Sequence, residues 1–166
     1  MDDTIFALSS RAPPAGVAVV RLSGKDVRFA LERLVDSVPE PRKVSLRFIK
    51  RGDDDVLDQG LVIYFPAPAS FTGEDVAELH LHGGRAVVAG VLDALAQIDG
   101  LRPAEAGEFT RRAFLNRRID LTEAEGLADM GELHALTSQP DAKLLEPIAV
   151  RAQVGLEKLL VVSQGR

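Results

Sequence analysis

Two rhythms of apolar residues divide the first 120 positions into strands and helices: short alternating or continuous runs, and longer stretches repeating every three to four positions. TIFALSS (4–10) is short, apolar and β-compatible, and the Pro- and Gly-containing loop 11–16 breaks it. Val17, Ala18, Val19 and Val20 read as a buried strand from which Arg21 emerges near the end. Val27, Ala30, Leu31, Leu34 and Val35 form one helical stripe over about 26–36, with Ser23 placed to cap it and Pro39 and Pro41 closing the unit. The stretch 43–50 alternates, with Val44, Leu46 and Phe48 on one side and Lys43, Ser45 and Arg47 on the other. RGDDD then turns the chain, and 56–65 returns as the partner of a hairpin.

PAPASFTGED reads as loop, and the strand after it carries Glu78, His80 and His82 on one face and Ala77, Leu79 and Leu81 on the other. Between Arg85 and Asp99, Val88, Val91, Leu92, Leu95 and Ile98 recur at helical spacing, with Gly100 as the stop. Glu108 to Asn116 also reads as a helix, and Thr122 with Glu125 has the spacing of a capping box that opens another. Beyond Met130 the pattern loosens: 138–143 reads as a break and about 145–162 as a final helix. The pattern predicts an α+β fold with a sheet of about five strands and three helices over 1–120, followed by a helical tail over 121–166.

With 46 % apolar and 27 % charged residues in 166, the chain has the composition of a globular domain able to bury a core. It holds no apolar run long enough for a membrane helix. Its first residues, MDDTIFALSS, carry acids where a signal peptide carries positive charge, so a cytoplasmic location is expected. The absence of cysteine excludes disulfides, thiolate zinc sites and a cysteine nucleophile within these residues. A net charge of −5 argues against a dedicated nucleic-acid binder, although a local basic patch remains compatible with RNA contact.

Three readings of Glu78, His80 and His82 stay open at this point: a metal site, a pocket for an organic ligand, or an exposed polar face. Two histidines two apart on a strand start about 6–7 Å from one another and can converge on zinc. Glu78 and His82, however, start about 13 Å apart, which strains three-point binding to one ion. His134 is the only other histidine. LSGKD (22–26) contains the Gly-Lys of a phosphate-binding loop, but Val19 stands at the first glycine position and Asp26 at the hydroxyl position, so no nucleotide triphosphate is expected there. RRAFLNRR (111–118) places four arginines around Phe114 and Leu115. As a helix it predicts those two apolar residues inward and Arg111, Arg112, Arg117 and Arg118 fanned around them, as a solvated surface, an anion site or an RNA-docking patch.

GVAVVRLSG, FPAPASFTGEDVAELHLHGG and GEFTRRAFLNRRIDLTEAEGLAD, in that order, resemble the N-terminal domain of the tRNA-modification GTPases called MnmE or TrmE, over roughly residues 3–129. The resemblance implies a fold similar to the folate-binding domain of aminomethyltransferases, and a homodimer. It also implies a bound tetrahydrofolate derivative, 5-formyltetrahydrofolate or a one-carbon-loaded form, near the dimer interface. The folate-contacting residues of that family fall on Arg21, Glu78 and Arg118. Whole members of the family act with an FAD-containing partner protein to install an aminomethyl-type group at C5 of the wobble uridine of certain tRNAs. Neither a GTPase domain nor the family's C-terminal cysteine motif lies in these residues, so this chain alone is expected to hold folate without hydrolysing GTP. Three departures stand out: Arg117 where the family usually has glycine, Ala106 in place of a proline before GEFT, and no resemblance past Met130. Against this stand a small metal-binding protein built on Glu78, His80 and His82, and a structural module that only dimerises or docks RNA.

Overall fold

The computed structural model describes residues 3–127. They divide between a first unit, Met1–Arg118, and a second that begins at Ile119. The first unit is a six-stranded mixed sheet with three helices, an α+β fold. The strands are β1 (Thr4–Leu8), β2 (Val17–Ser23), β3 (Ser45–Arg51), β4 (Asp55–Phe65), β5 (Val76–His82) and β6 (Leu101–Pro103). The helices are α1 (Val27–Leu34), α2 (Arg85–Ala96) and α3 (Glu108–Leu115). The sheet order is β3-β4-β5-β2-β1-β6, antiparallel throughout except for the parallel pair of β1 with β6.

β6 is the strand the pattern did not predict. Three residues are too few for a period to be read, and its pairing of Thr4 with Leu101 joins segments nearly a hundred positions apart. α1 and α2 pack on one face of the sheet. The inward residues of β2 and β5, Ala18, Val20, Leu22, Ala77, Leu79 and Leu81, meet Leu31, Leu34, Val91 and Leu95 there in one core. Each fully buried leucine in such a layer is worth roughly 1.5–3 kcal/mol of transfer free energy. Asp26, not Ser23, occupies the N-cap of α1; Ser23 is buried at the end of β2. Gly60 lies where β4 runs close against the carbonyl of His80, leaving no room for a Cβ.

The alternation of β3 is present, but its apolar side faces away from the core. Val44, Leu46 and Phe48 are exposed, as are Leu61 on β4 and Val17 on β2, while Ile49 beside an irregularity in the ladder turns inward. These apolar side chains therefore belong to the sheet face opposite α1 and α2, the face that carries Glu78 and His80. At the start of the second unit, residues 121–127 are helical. The cap there is Asp120 with Glu123, each side chain accepting from the other's backbone N–H at 2.8 and 2.9 Å, and not Thr122 with Glu125. The predicted break at 138–143, the helix at 145–162 and His134 lie outside the described residues.

Candidate functional site

Cross-strand register builds the site. On the face opposite α1 and α2, Ala7, Arg21, Glu78 and Ile63 stand in one row across β1, β2, β5 and β4, and Val19, His80, Leu61 and Leu46 form the next. Arg21 and Glu78 are direct partners, so their side chains meet: Arg21 Nε and Nη2 both donate to Glu78 Oε1, at 3.0 and 2.7 Å. His80 Nε2 is 3.1 Å from Glu78 Oε2. An ionised carboxylate only accepts, so His80 carries its proton on Nε2 in this contact. Burial raises the Glu78 carboxyl, but the hydrogen bond from His80 and the charge and hydrogen bond of Arg21 outweigh it and lower it to about 2. The carboxylate is thus ionised at neutral pH, with three of about four acceptor sites filled.

A loop forms the adjoining wall. Phe71 is exposed with its ring centroid 5.8 Å from the Arg21 guanidinium carbon, within the range of a cation–π contact. Two residues on, Gly73 has φ +78°, and a Cβ there would lie 3.1 Å from Cγ of Arg118. Arg118 lays its stem across this glycine and donates Nε to the Ser70 carbonyl at 3.2 Å. Its terminal nitrogens make no hydrogen bond or ion pair among the described residues. One loop, 70–73, therefore touches both Arg21 and Arg118.

The end of α3 fixes where Arg118 starts. The N–H of Arg118 bonds the Ala113 carbonyl at 2.8 Å and that of Arg117 bonds Phe114 at 2.9 Å, the two bonds of a Schellman termination. Such an end requires a left-handed residue at the first of these two positions, and Arg117 supplies it with φ +57°. This is the physical reason glycine suits the position. Arg117→Gly is expected to stabilise the fold by about 1 kcal/mol, read as a raised urea midpoint at constant m-value, because an L side chain pays a steric cost in this region.

Helix α3 corrects the reading of RRAFLNRR. Phe114 and Leu115 are 41 % and 57 % exposed, whereas Arg112 is 0 % exposed. Carboxylates draw it inward: its guanidinium donates to Glu108 Oε1 at 3.0 Å, to both oxygens of Glu74 at 3.2 Å, and to Asp3 Oδ1 at 2.9 Å. Arg111 pairs with Glu105. The four-arginine patch is therefore not a single basic surface. Glu108 and Arg112, four apart on the buried side of α3, carried a signal for this pair; Asp3 and Glu74 carried none, since only the fold brings them there.

His82 departs from the row. Its Nδ1 is 2.8 Å from Asp58 Oδ1, and Asp58 Oδ2 accepts its backbone N–H at 2.8 Å. Glu78, His80 and His82 thus share a face without converging on one point. Among the described residues no three His, Asp or Glu side chains are placed to hold a metal ion.

Residues 4–118 match the family described as GTP-binding protein TrmE N-terminus. The chain belongs to this family. It is 61 % identical over 128 residues to the tRNA modification GTPase MnmE of Sinorhizobium medicae and, over the same length, to that of Chelativorans sp., covering 77 % of this chain and 29 % of each relative. It is 55 % identical over 149 residues to a mitochondrial 5-taurinomethyluridine tRNA synthase subunit of Danio rerio, covering 89 % of this chain and again 29 % of the relative. The chain spans less than a third of the length of these relatives. The Danio rerio match is too long to stop at residue 129, so the likeness reaches into the stretch that the motifs alone left out.

Proposed function

We propose that this chain is the tetrahydrofolate-binding and dimerisation domain of a tRNA-modification GTPase. The observation that carries the reading is an ionised carboxylate, Glu78, held between Arg21 and His80 on a sheet face whose apolar side chains are exposed. A reduced pterin offers an edge of N–H donors beside a 2-amino group, which suits a carboxylate acceptor. Such a ligand takes the remaining acceptor site of Glu78 and displaces Arg21 or His80 from another. Phe71 offers a flat apolar wall, and the terminal nitrogens of Arg118 are available to the carboxylates of the p-aminobenzoyl-glutamate tail. The bound folate would supply a one-carbon unit; these residues bind and orient it.

Dimerisation is supported by the same face. Val17, Val44, Leu46, Phe48 and Leu61 form more exposed apolar surface than isolated surface residues account for, and a second copy would cover it. In the whole protein we assign the domain the role of presenting folate for modification at C5 of a wobble uridine in tRNA, together with an FAD-containing partner and in the cytoplasm. No helix among the described residues is long and apolar enough to cross a membrane.

Sedimentation velocity with 5-formyltetrahydrofolate tests the reading. The expected result is a dimer that carries the ligand's absorbance with it, and a monomer for Leu46→Asp, which places a charge on the open face. A single monomeric species at every protein and ligand concentration, with no co-sedimenting folate, contradicts it.

A further inference from the structure

Glu74 and Arg112 lie outside the row of ligand-facing residues, yet they and Ser23 hold the loop that borders it. Ser23, Thr72 and Arg112 are fully or almost fully buried. Ser23 Oγ is 2.7 Å from both Thr72 Oγ1 and Glu74 Oε2, and Arg112 Nη1 donates to Glu74 from the other side. Asn116 Nδ2 donates to the Thr72 carbonyl at 2.7 Å, and the Ser70 hydroxyl donates to the carbonyl of Glu74. Loop residues 70, 72 and 74 are thus fastened inward, which leaves Phe71 turned out toward Arg21 and Gly73 beneath the stem of Arg118. The segment is bent rather than extended, with Gly73 at φ +78°, so these inward hydrogen bonds and not a strand period set which side chains turn out.

We propose that Ser23, Glu74 and Arg112 are positioning residues for the ligand site, setting loop 70–74 and with it the places of Phe71 against Arg21 and of Arg118 across Gly73. The proposal rests on the reading of this face as a folate site. Pre-organisation matters because every rotamer or loop segment ordered on binding subtracts from affinity. Ser23 is the cleanest handle: it stands two residues past Arg21 on the same side of β2, yet its hydroxyl bonds only Thr72 and Glu74 and none of Arg21, Glu78, His80 or Arg112's other partners. Removing its hydroxyl takes one hydrogen-bond partner from Thr72 and one from Glu74.

The test compares Ser23→Ala with Val88→Ala, a buried truncation in α2 on the other side of the sheet. Two quantities are read in each: amide hydrogen exchange of residues 70–75, and the Kd for 5-formyltetrahydrofolate by calorimetry. Ser23→Ala is expected to speed exchange in that loop and to raise Kd roughly tenfold, as loss of a buried hydrogen-bond partner does. Val88→Ala is expected to lower the melting temperature without either change. Unchanged loop exchange or unchanged Kd in Ser23→Ala overturns the inference, and so does an equal loss of affinity in Val88→Ala, which would tie binding to overall stability. Failure of the wild type to bind the ligand overturns the folate reading and this inference together; a wild type that binds, with Ser23→Ala binding equally well, overturns this inference alone.

Discussion

Replacing Arg112 with methionine is expected to destabilise the domain by about 3–5 kcal/mol, the cost of breaking a buried ion pair by removing one partner. Methionine fills much of the stem's volume, so the loss is electrostatic. Glu108, 1 % exposed, keeps Arg102 at 2.6 Å, but Glu74 loses its cationic partner and the Asp3 carbonyl loses a donor. The N-terminal segment, the loop before β5 and α3 all depend on this one guanidinium. Arg112→Lys is expected to restore little, since one ammonium cannot reproduce a planar fork shared among three carboxylates. Equilibrium urea unfolding measures both variants; a loss below about 1 kcal/mol for Arg112→Met, the level of a surface pair, would show the network to be dispensable.

Acid is expected to unfold the domain over a window that two glutamates set. Hydrogen bonds from Arg102 lower Glu108 to about 2 against the cost of its burial, with the Glu105 backbone N–H and Arg112 adding to them. For Glu78, His80 and Arg21 overcome burial to reach about the same value. Both folded-state values lie below the ordinary glutamate value, so the stability they contribute is fully present above about pH 4.5 and is lost as pH falls toward 2. Since a tenfold change in proton affinity is worth about 1.4 kcal/mol, each glutamate contributes up to about 3 kcal/mol. Unfolding free energy should be flat between pH 5 and 7 and then decline steeply, with Glu108→Gln less stable at neutral pH and less steep in acid. A wild-type profile that stays level down to pH 3 would show that these carboxylates do not set the acid limit.

Among the described residues, the strands and helices that the period of apolar residues marked are present because burial on one face imposes that period. What the period could not tell is which face. Through β3 and the residue before it the alternation of Val44, Leu46 and Phe48 is clear, yet the apolar side lies away from the helices; a pattern records two sides, not what covers each. In α3 the same blindness inverted the helix, because hydrophobicity placed Phe114 and Leu115 inside while carboxylates at positions 3 and 74, remote in sequence, drew Arg112 there instead. DLTE and TEAE overlap as capping boxes at 120–125, and local chemistry favours neither strongly; Asp120 takes the cap.

For the site, two-residue spacing put Glu78, His80 and His82 on one face, and the family resemblance pointed to Arg21, Glu78 and Arg118. The contact of Arg21 with Glu78 needed the register of β2 against β5, and the link to Arg118 needed loop 70–73 between them. His82 was drawn off by Asp58, a residue that spacing had no means of placing beside it.

The central claim is that the Glu78 carboxylate grips a reduced folate, and calorimetric titration of 5-formyltetrahydrofolate into the wild type and Glu78→Ala addresses it most directly. Micromolar-class binding is expected for the wild type, with a weakening of about 1–3 kcal/mol in the variant through loss of charge-assisted hydrogen bonds. No heat of binding in the wild type, or equal affinities in the two proteins, would contradict it.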